Sequence, residues 1–194
     1  MLRLTSLALL LAFVPACGSA PAESDDRDML LAPMFDDGSL PRAVEIPNFA
    51  ILSPQVAGGG AVTPEQVASM PELGYTTIIN LRTAGERGVA EEEAAARAAG
   101  LNYLHFPTTG SNYDLAQAQA VRQAIAAQPG KVLLHCGSGA RVAAVWAMVR
   151  AIDEGLPPEE AARVAAEEGP RPISTGMVDR VRDETRAGIP FRRQ

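Results

Sequence analysis

The stretch KVLLHCGSGAR, residues 131–141, places a cysteine between a short apolar strand and a helix, and it ends in arginine. Residues 132–135 have the composition of a buried strand, and residues 140–152 repeat apolar side chains at helical spacing. Cys136 therefore begins a turn that leads into a helix N-terminus. Strand followed directly by helix is typical of an α/β fold, and the remaining sequence repeats this alternation.

The turn has the features of an anion-binding loop. Two glycines allow successive backbone N–H groups to point inward, and the dipole of the following helix attracts negative charge. The same field favours the thiolate form of Cys136, and Arg141 supplies a planar fork that can hold two oxyanion oxygens. A buried structural thiol beside two turn glycines is the alternative interpretation. The predicted anion-binding residues are Gly137, Ser138, Gly139, Ala140 and Arg82.

The rest of the chain predicts further strands and helices in alternation. Thr63, Pro64 and Gln66 form a helix start with an N-cap, a first-turn proline and a capping-box partner. The expected fold is α/β, with a central, mainly parallel sheet of four to five strands and helices on both faces. Ligands of such sheets bind beyond the carboxyl ends of the strands. The predicted strands are 49–52, 75–81, 101–106 and 132–135, and residues 56–60 are a short strand or a turn. The predicted helices are 64–73, 91–99, 115–127, 140–152, 157–168 and 174–187.

Length and charge exclude some classes of protein. A chain of 194 residues is long enough for one domain with a sizeable core. Its formal net charge of -6 argues against a nucleic-acid partner. We expect no cofactor and no metal ion at the site.

The N-terminus predicts export. Arg3 precedes an apolar run, residues 7–14, that is too short to span a bilayer but suits a signal sequence. The following VPAC resembles a bacterial lipobox, which implies cleavage before Cys17, lipidation of Cys17 and a membrane anchor in the bacterial cell envelope or periplasm. Cleavage near residues 20–22 and an uncleaved anchor are the alternatives. All three export the domain. Once Cys17 is lipidated or removed, Cys136 has no disulfide partner within the chain.

The expected organisation has three parts. Residues 1–22 are the signal segment, residues 23–47 are a linker rich in Asp, Pro, Gly and Ser, and residues 48–194 are the folded domain.

With these segments in place, the chain resembles the cysteine-dependent phosphatase superfamily of protein tyrosine and dual-specificity phosphatases. Within it the chain is most similar to the small bacterial family called beta-lactamase-hydrolase-like, phosphatase-like domain. The resemblance extends from Asn48 to Arg150. Its motifs are Asn48-Phe49, Gly58-Gly59-Gly60, Thr63-Pro64-Glu65-Gln66, Gly74-Tyr75, Ile78-Ile79-Asn80-Leu81-Arg82, the helix before Gly100, His105-Phe106-Pro107 and the cysteine loop.

The resemblance implies a cysteine nucleophile, Cys136, with Arg141 binding the phosphate and His135 supporting the loop. Most phosphatases of the superfamily also use an aspartate on the loop after the third strand as general acid. Gly110 stands near that position here, so Asp114, the nearest carboxylate downstream, is the candidate acid. A residue in the first turn of the following helix, stabilised by the helix dipole, is its alternative interpretation.

Two departures from the superfamily pattern leave the reaction open. Only four residues separate Cys136 from Arg141 instead of five, and a loop of this length also resembles that of the rhodanese sulfurtransferases. Val142 replaces the hydroxyl residue that usually follows the arginine. The leading hypothesis is hydrolysis of a phosphate ester through a phosphocysteine. The alternatives are sulfur transfer by the same cysteine and a non-catalytic oxyanion-binding lipoprotein.

Two other polar side chains, Arg82 and His105, are interpreted from their positions in the sequence. Arg82 follows a strand end, where it either reaches the anion or pairs with Glu86. His105 is expected to be structural.

Overall fold

The computed structural model describes residues 45–109 and 113–189, which belong to one compact unit, Pro41–Gln194. The predicted signal segment, the lipidation site Cys17 and most of the predicted linker lie outside the described residues, as does Gly110. The strands are β1 (Ala50–Ile51), β2 (Val56–Gly59), β3 (Tyr75–Asn80), β4 (Asn102–His105) and β5 (Lys131–His135). The helices are α1 (Pro64–Ser69), α2 (Val89–Ala98), α3 (Leu115–Ala126), α4 (Ala140–Glu154), α5 (Pro158–Glu167) and α6 (Thr175–Gly188).

The strands form one sheet in the order β1-β2-β5-β3-β4. Only β1 runs antiparallel to its neighbour, so the predicted mainly parallel sheet is confirmed. The carboxyl ends of the four parallel strands are level, because Gly59, His135, Asn80 and His105 are paired across the sheet. The loops after these strands therefore leave the sheet at the same edge.

Helices cover both faces of the sheet, as predicted. On one face α3, α4, α5 and α6 pack around a core that contains Leu134 and Trp146. On the other face α1 and α2 pack around a smaller core that contains Ile78 and Leu133. The alternation of Leu133 and Leu134 between these cores is the two-residue period of a strand. Burial on both sides explains why β5 is almost entirely apolar.

The first helix begins at the predicted capping box. Thr63 Oγ1 accepts the N–H of Gln66, and Gln66 Oε1 accepts the N–H of Thr63. The helix tightens into a 3₁₀ turn, Met70–Leu73, because Pro71 has no N–H to continue the α-helical pattern. Gly74 ends this turn with a φ of 79°, a left-handed conformation that favours glycine.

The folded unit includes residues 45–47, which the sequence analysis assigned to the linker. Ile46 is buried in the core with α1 and α2, and the carbonyl of Pro47 accepts the N–H of Gly60 at 2.7 Å. The predicted boundary at Asn48 is therefore a few residues late. In the part of the chain that the structure describes, no helix is long and apolar enough to cross a bilayer.

Candidate active site

The loop after β5 is held in place from the side of β2. The N–H of Cys136 donates to the carbonyl of Gly59 at 3.2 Å, and the N–H of Ala61 donates to the carbonyl of Gly137 at 3.1 Å. Asn48 Nδ2 donates to the carbonyl of Ser138 at 3.0 Å. Asn48 has a φ of 53°, a conformation that asparagine tolerates better than most residues. The segment that precedes the sheet thus fixes the outer side of the cysteine loop.

The sulfur of Cys136 lies inside this loop. The side chain is buried, and the N–H of Gly139 donates to Cys136 Sγ at 3.1 Å. Gly139 has a φ of 90° and is the residue before α4, so a glycine is needed where the chain turns into the helix. The loop therefore places a backbone donor against the sulfur of Cys136.

Further backbone N–H groups of the cysteine loop are available to a ligand. Among the described residues, no protein acceptor receives the N–H of Gly137 or Ser138. Ala140 begins α4, whose N-terminus faces the loop as predicted from the sequence. Free N–H groups beside a helix N-terminus are the usual ligands of a bound oxyanion.

Arg141 extends from the first turn of α4 to the loops that follow β3 and β4. Its guanidinium donates to both carboxylate oxygens of Glu86, with Nη1 at 2.6 Å from Oε1 and Nη2 at 2.7 Å from Oε2. Nη1 also donates to the carbonyls of Leu81 at 3.3 Å and Thr108 at 2.7 Å. A methyl group placed on Gly137 would lie 3.4 Å from Glu86 Oε2, so this carboxylate sits beside the cysteine loop.

This ion pair shifts the pKa values of both Glu86 and Arg141. The hydrogen bonds from Arg141 lower the pKa of Glu86 to about 2, against the opposing effect of burial. The bonds to Glu86, and the nearby charge of Cys136, raise the pKa of Arg141. The arginine is therefore charged whenever the carboxylate accepts its hydrogen bonds.

Glu86→Gln is expected to change how stability depends on pH. A carboxyl group with a lowered pKa stabilises the folded state fully above its unfolded value of about 4.5, and this stabilisation is lost as the pH falls towards about 2. The gap in free energy of unfolding between wild type and Glu86→Gln should be constant above about pH 5.5 and shrink below it. Urea unfolding across this range measures the gap. Glu91→Gln, at an exposed position on α2, is the control, and an unchanged gap at low pH would contradict the prediction.

A second carboxylate, Glu92, lies fully buried beneath the site. It accepts hydrogen bonds from Asn80 Nδ2 at 2.8 Å and Tyr103 Oη at 3.0 Å, and it pairs with Arg82 Nη2. His135 Nε2 lies 2.9 Å from Glu92 Oε1. His135 directly precedes Cys136, so this contact ties the base of the cysteine loop to α2. Burial and the charge of Glu92 raise the pKa of Tyr103 above its usual value.

Arg82 does not pair with Glu86, so that interpretation is wrong. Its guanidinium bonds to Glu92 and to the carbonyl of Arg87, and the side chain is almost completely buried. Arg82 instead neutralises the buried carboxylate, while its predicted contact with an anion stays a prediction. His105 Nε2 contacts the carbonyl of Arg82 at 2.6 Å, which fits the structural role expected of His105.

Asp114 is the N-cap of α3. Its Oδ1 accepts the N–H of Gln117 at 2.8 Å, so Asp114 precedes the helix and caps it instead of lying in its first turn. Its role as general acid stays a prediction. Among residues 45–109 and 113–189, no group of three His, Cys, Asp or Glu side chains could hold a metal ion.

The sequence does not predict the contacts of Glu86 and Glu92. Its patterns offer Glu86 only as a partner for Arg82, although the loop of Glu86 follows a strand whose end faces the cysteine loop. Glu92 lies among three consecutive glutamates, Glu91 to Glu93, and nothing local marks it as the buried one.

Comparison with known proteins places this arrangement in a family. The phosphatase-like domain of beta-lactamase hydrolase-like proteins matches residues 48–153, more than half of the chain. The chain belongs to this family. A beta-lactamase hydrolase-like protein from Xylella fastidiosa is 36% identical over 113 residues, which are 56% of this chain and 26% of that protein. The chain thus spans about a quarter of this curated relative. The family match, residues 48–153, includes the whole cysteine loop.

Solved structures confirm the family fold. A DUF442 protein from Shewanella putrefaciens superposes with a TM-score of 0.63 at 18% identity, covering 76% of this chain and 96% of that chain. TpbA from P. aeruginosa, as a cysteine-to-serine variant in complex with pTyr, superposes with a TM-score of 0.58 at 19% identity, covering 81% of this chain and 91% of that chain. The cysteine-phosphatase fold expected from the sequence is confirmed.

Proposed function

We propose that the domain is a phosphatase that hydrolyses a phosphate monoester, with Cys136 as nucleophile and a phosphocysteine intermediate. The observation that carries the proposal is the hydrogen bond from the N–H of Gly139 to Cys136 Sγ, at 3.1 Å. This bond places a donor against the sulfur, beside the N–H groups of Gly137 and Ser138, which no described acceptor receives. The pTyr complex of TpbA supports a phosphate ester as ligand for this fold.

The first step forms a sulfur–phosphorus bond. The Cys136 thiolate attacks phosphorus, the bond from phosphorus to the ester oxygen breaks, and the leaving oxygen takes a proton. The loop N–H groups and Arg141 would stabilise the charge on the equatorial oxygens. Asp114 is our candidate for the proton donor, with Oδ2 as the atom that would carry the proton while Oδ1 accepts the N–H of Gln117.

The second step releases inorganic phosphate. Water attacks the phosphorus of the phosphocysteine and gives a proton to the Asp114 carboxylate left by the first step. The sulfur–phosphorus bond breaks, and the thiolate is regenerated. The residue after Arg141 is Val142, which is buried and has no hydroxyl to assist the leaving sulfur. We therefore expect the second step to be the slower one, so that phosphocysteine accumulates.

The short loop favours sulfur transfer as a second candidate. Four residues between Cys136 and Arg141 give a loop with one N–H fewer than in most phosphatases of the superfamily. In that reaction the thiolate would take the outer sulfur of thiosulfate, releasing sulfite, and pass it to cyanide as thiocyanate. The third possibility is oxyanion binding without turnover.

One experiment separates the three. We expect the purified protein to release nitrophenolate from 4-nitrophenyl phosphate between pH 5 and 8, and acid-quenched samples to carry a phosphoryl group on the Cys136 peptide in mass spectra. The Cys17 peptide, where present, is the internal control thiol. In a parallel assay the protein is given thiosulfate and cyanide. An extra sulfur on Cys136, together with production of thiocyanate, would favour sulfur transfer instead. No turnover of either substrate would overturn both catalytic proposals and leave oxyanion binding.

A further inference from the structure

The connection between α5 and α6 packs directly on the cysteine loop. A methyl group placed on Gly139 would lie 3.1 Å from Pro170 Cβ and 3.7 Å from Arg171 Cγ. The aliphatic part of Arg171 therefore rests on the same residue whose N–H donates to Cys136 Sγ. This connection lies beyond residues 48–153, which the family match covers.

Among residues 45–109 and 113–189, no carboxylate pairs with the guanidinium of Arg171. It is exposed, and its one hydrogen bond goes from Nε to the carbonyl of Pro172 at 3.3 Å. Among the arginines of the described ranges only Arg87 shares this property. The arginines of α5 and α6 are all ion-paired: they are Arg163, Arg180, Arg182 and Arg186.

An unpaired arginine is notable in a chain with 23 acidic and 17 basic side chains. Carboxylates outnumber cations, yet no carboxylate of the described residues pairs with Arg171, whereas Arg141 of the same loop pairs with Glu86. A guanidinium fork with free donors is suited to a phosphoryl or carboxylate group, which it can hold through two parallel hydrogen bonds. Because the aliphatic part of Arg171 rests on the cysteine loop, its guanidinium can reach a ligand group that projects from the loop.

Resting on the proposed function, we propose that Arg171 binds a second anionic group of the substrate, next to the phosphoryl group held by the cysteine loop. The preferred substrates are then phosphate esters that carry another phosphoryl or carboxylate group close to the reacting one. Arg171 is a specificity-determining residue in this scheme, and the chemistry at phosphorus does not involve it.

Binding to a protein that cannot turn over tests this inference apart from the reaction. Inorganic phosphate and pyrophosphate are titrated calorimetrically into Cys136→Ser at about 0.15 M salt, where long-range attraction is screened. We expect pyrophosphate to bind more tightly than phosphate. Adding Arg171→Gln should lower the affinity for pyrophosphate by about tenfold, the size of one charge-assisted contact. The affinity for phosphate should change by less than about twofold.

The matched control is Cys136→Ser with Arg186→Gln, which removes the same charge from an exposed site on α6. It should leave both affinities unchanged. Equal weakening of phosphate and pyrophosphate by Arg171→Gln, or no weakening of either, would overturn the inference. Since no turnover is needed, this result stands whether or not the protein hydrolyses 4-nitrophenyl phosphate. Failure of hydrolysis alone would count only against the proposed function.

Discussion

Cys136→Ser is expected to reduce hydrolysis of 4-nitrophenyl phosphate by on the order of a thousandfold or more, while phosphate binding persists. A serine hydroxyl is not ionised near neutral pH, and no neighbouring base in the described structure activates this position. Oxygen in place of sulfur can still accept the N–H of Gly139, so the loop should keep its shape. Steady-state kinetics and calorimetric titration with phosphate measure the two effects on the same preparation.

The chain offers a matched control for this substitution. Its second cysteine, Cys17, allows the same Cys→Ser change far along the sequence from the loop. Cys17→Ser should keep full activity. Turnover by Cys136→Ser near the wild-type rate would show that another group is the nucleophile, and loss of phosphate binding together with activity would show that the loop itself had collapsed.

Glu92→Ala is expected to lower the free energy of unfolding by about 3–5 kcal/mol. The substitution removes the acceptor of Arg82, Asn80, Tyr103 and His135, all beneath the site. It leaves a buried guanidinium without its counter-charge, which is the costly way to break a buried ion pair. For a domain stable by about 5–15 kcal/mol, this is a large share of the total. Urea unfolding followed by circular dichroism gives the measurement.

The neighbouring Glu91 provides the control. It lies on the same helix but is exposed, so Glu91→Ala should cost only a few tenths of a kcal/mol through the lost attraction to the helix N-terminus. Equal stabilities of Glu91→Ala and Glu92→Ala would contradict the account of the buried cluster. Glu92→Gln should fall between wild type and Glu92→Ala, because the amide keeps one acceptor oxygen and the side-chain volume.

The features that the sequence predicted well are local ones. The strand, the turn glycines and the helix around Cys136 follow one another within 25 residues, so propensity and periodicity sufficed to place them. The capping box at Thr63 is read from four adjacent residues. The repeated alternation of strands and helices predicted the mainly parallel sheet. The predicted loops lie together because the carboxyl ends of its strands are level.

The features that the sequence did not predict depend on the rotation of helices and the paths of loops. Glu91, Glu92 and Glu93 are equivalent in local composition, and only the docking of α2 on the sheet decides that Glu92 is buried. The partners Glu86 and Arg141 are separated by 55 positions and meet because two loops leave the same sheet edge. The same holds for Arg82, whose pairing with Glu92 instead of Glu86 depends on how α2 docks.

The contacts of Arg141 have a thermodynamic consequence for ligand capture. Its side chain is held by Glu86 and by the carbonyls of Leu81 and Thr108 before any ligand arrives. A free arginine would lose rotamer entropy on binding, at a cost of about 0.5–1.5 kcal/mol. Here that entropy is lost during folding, so an arriving anion meets a guanidinium that is already ordered.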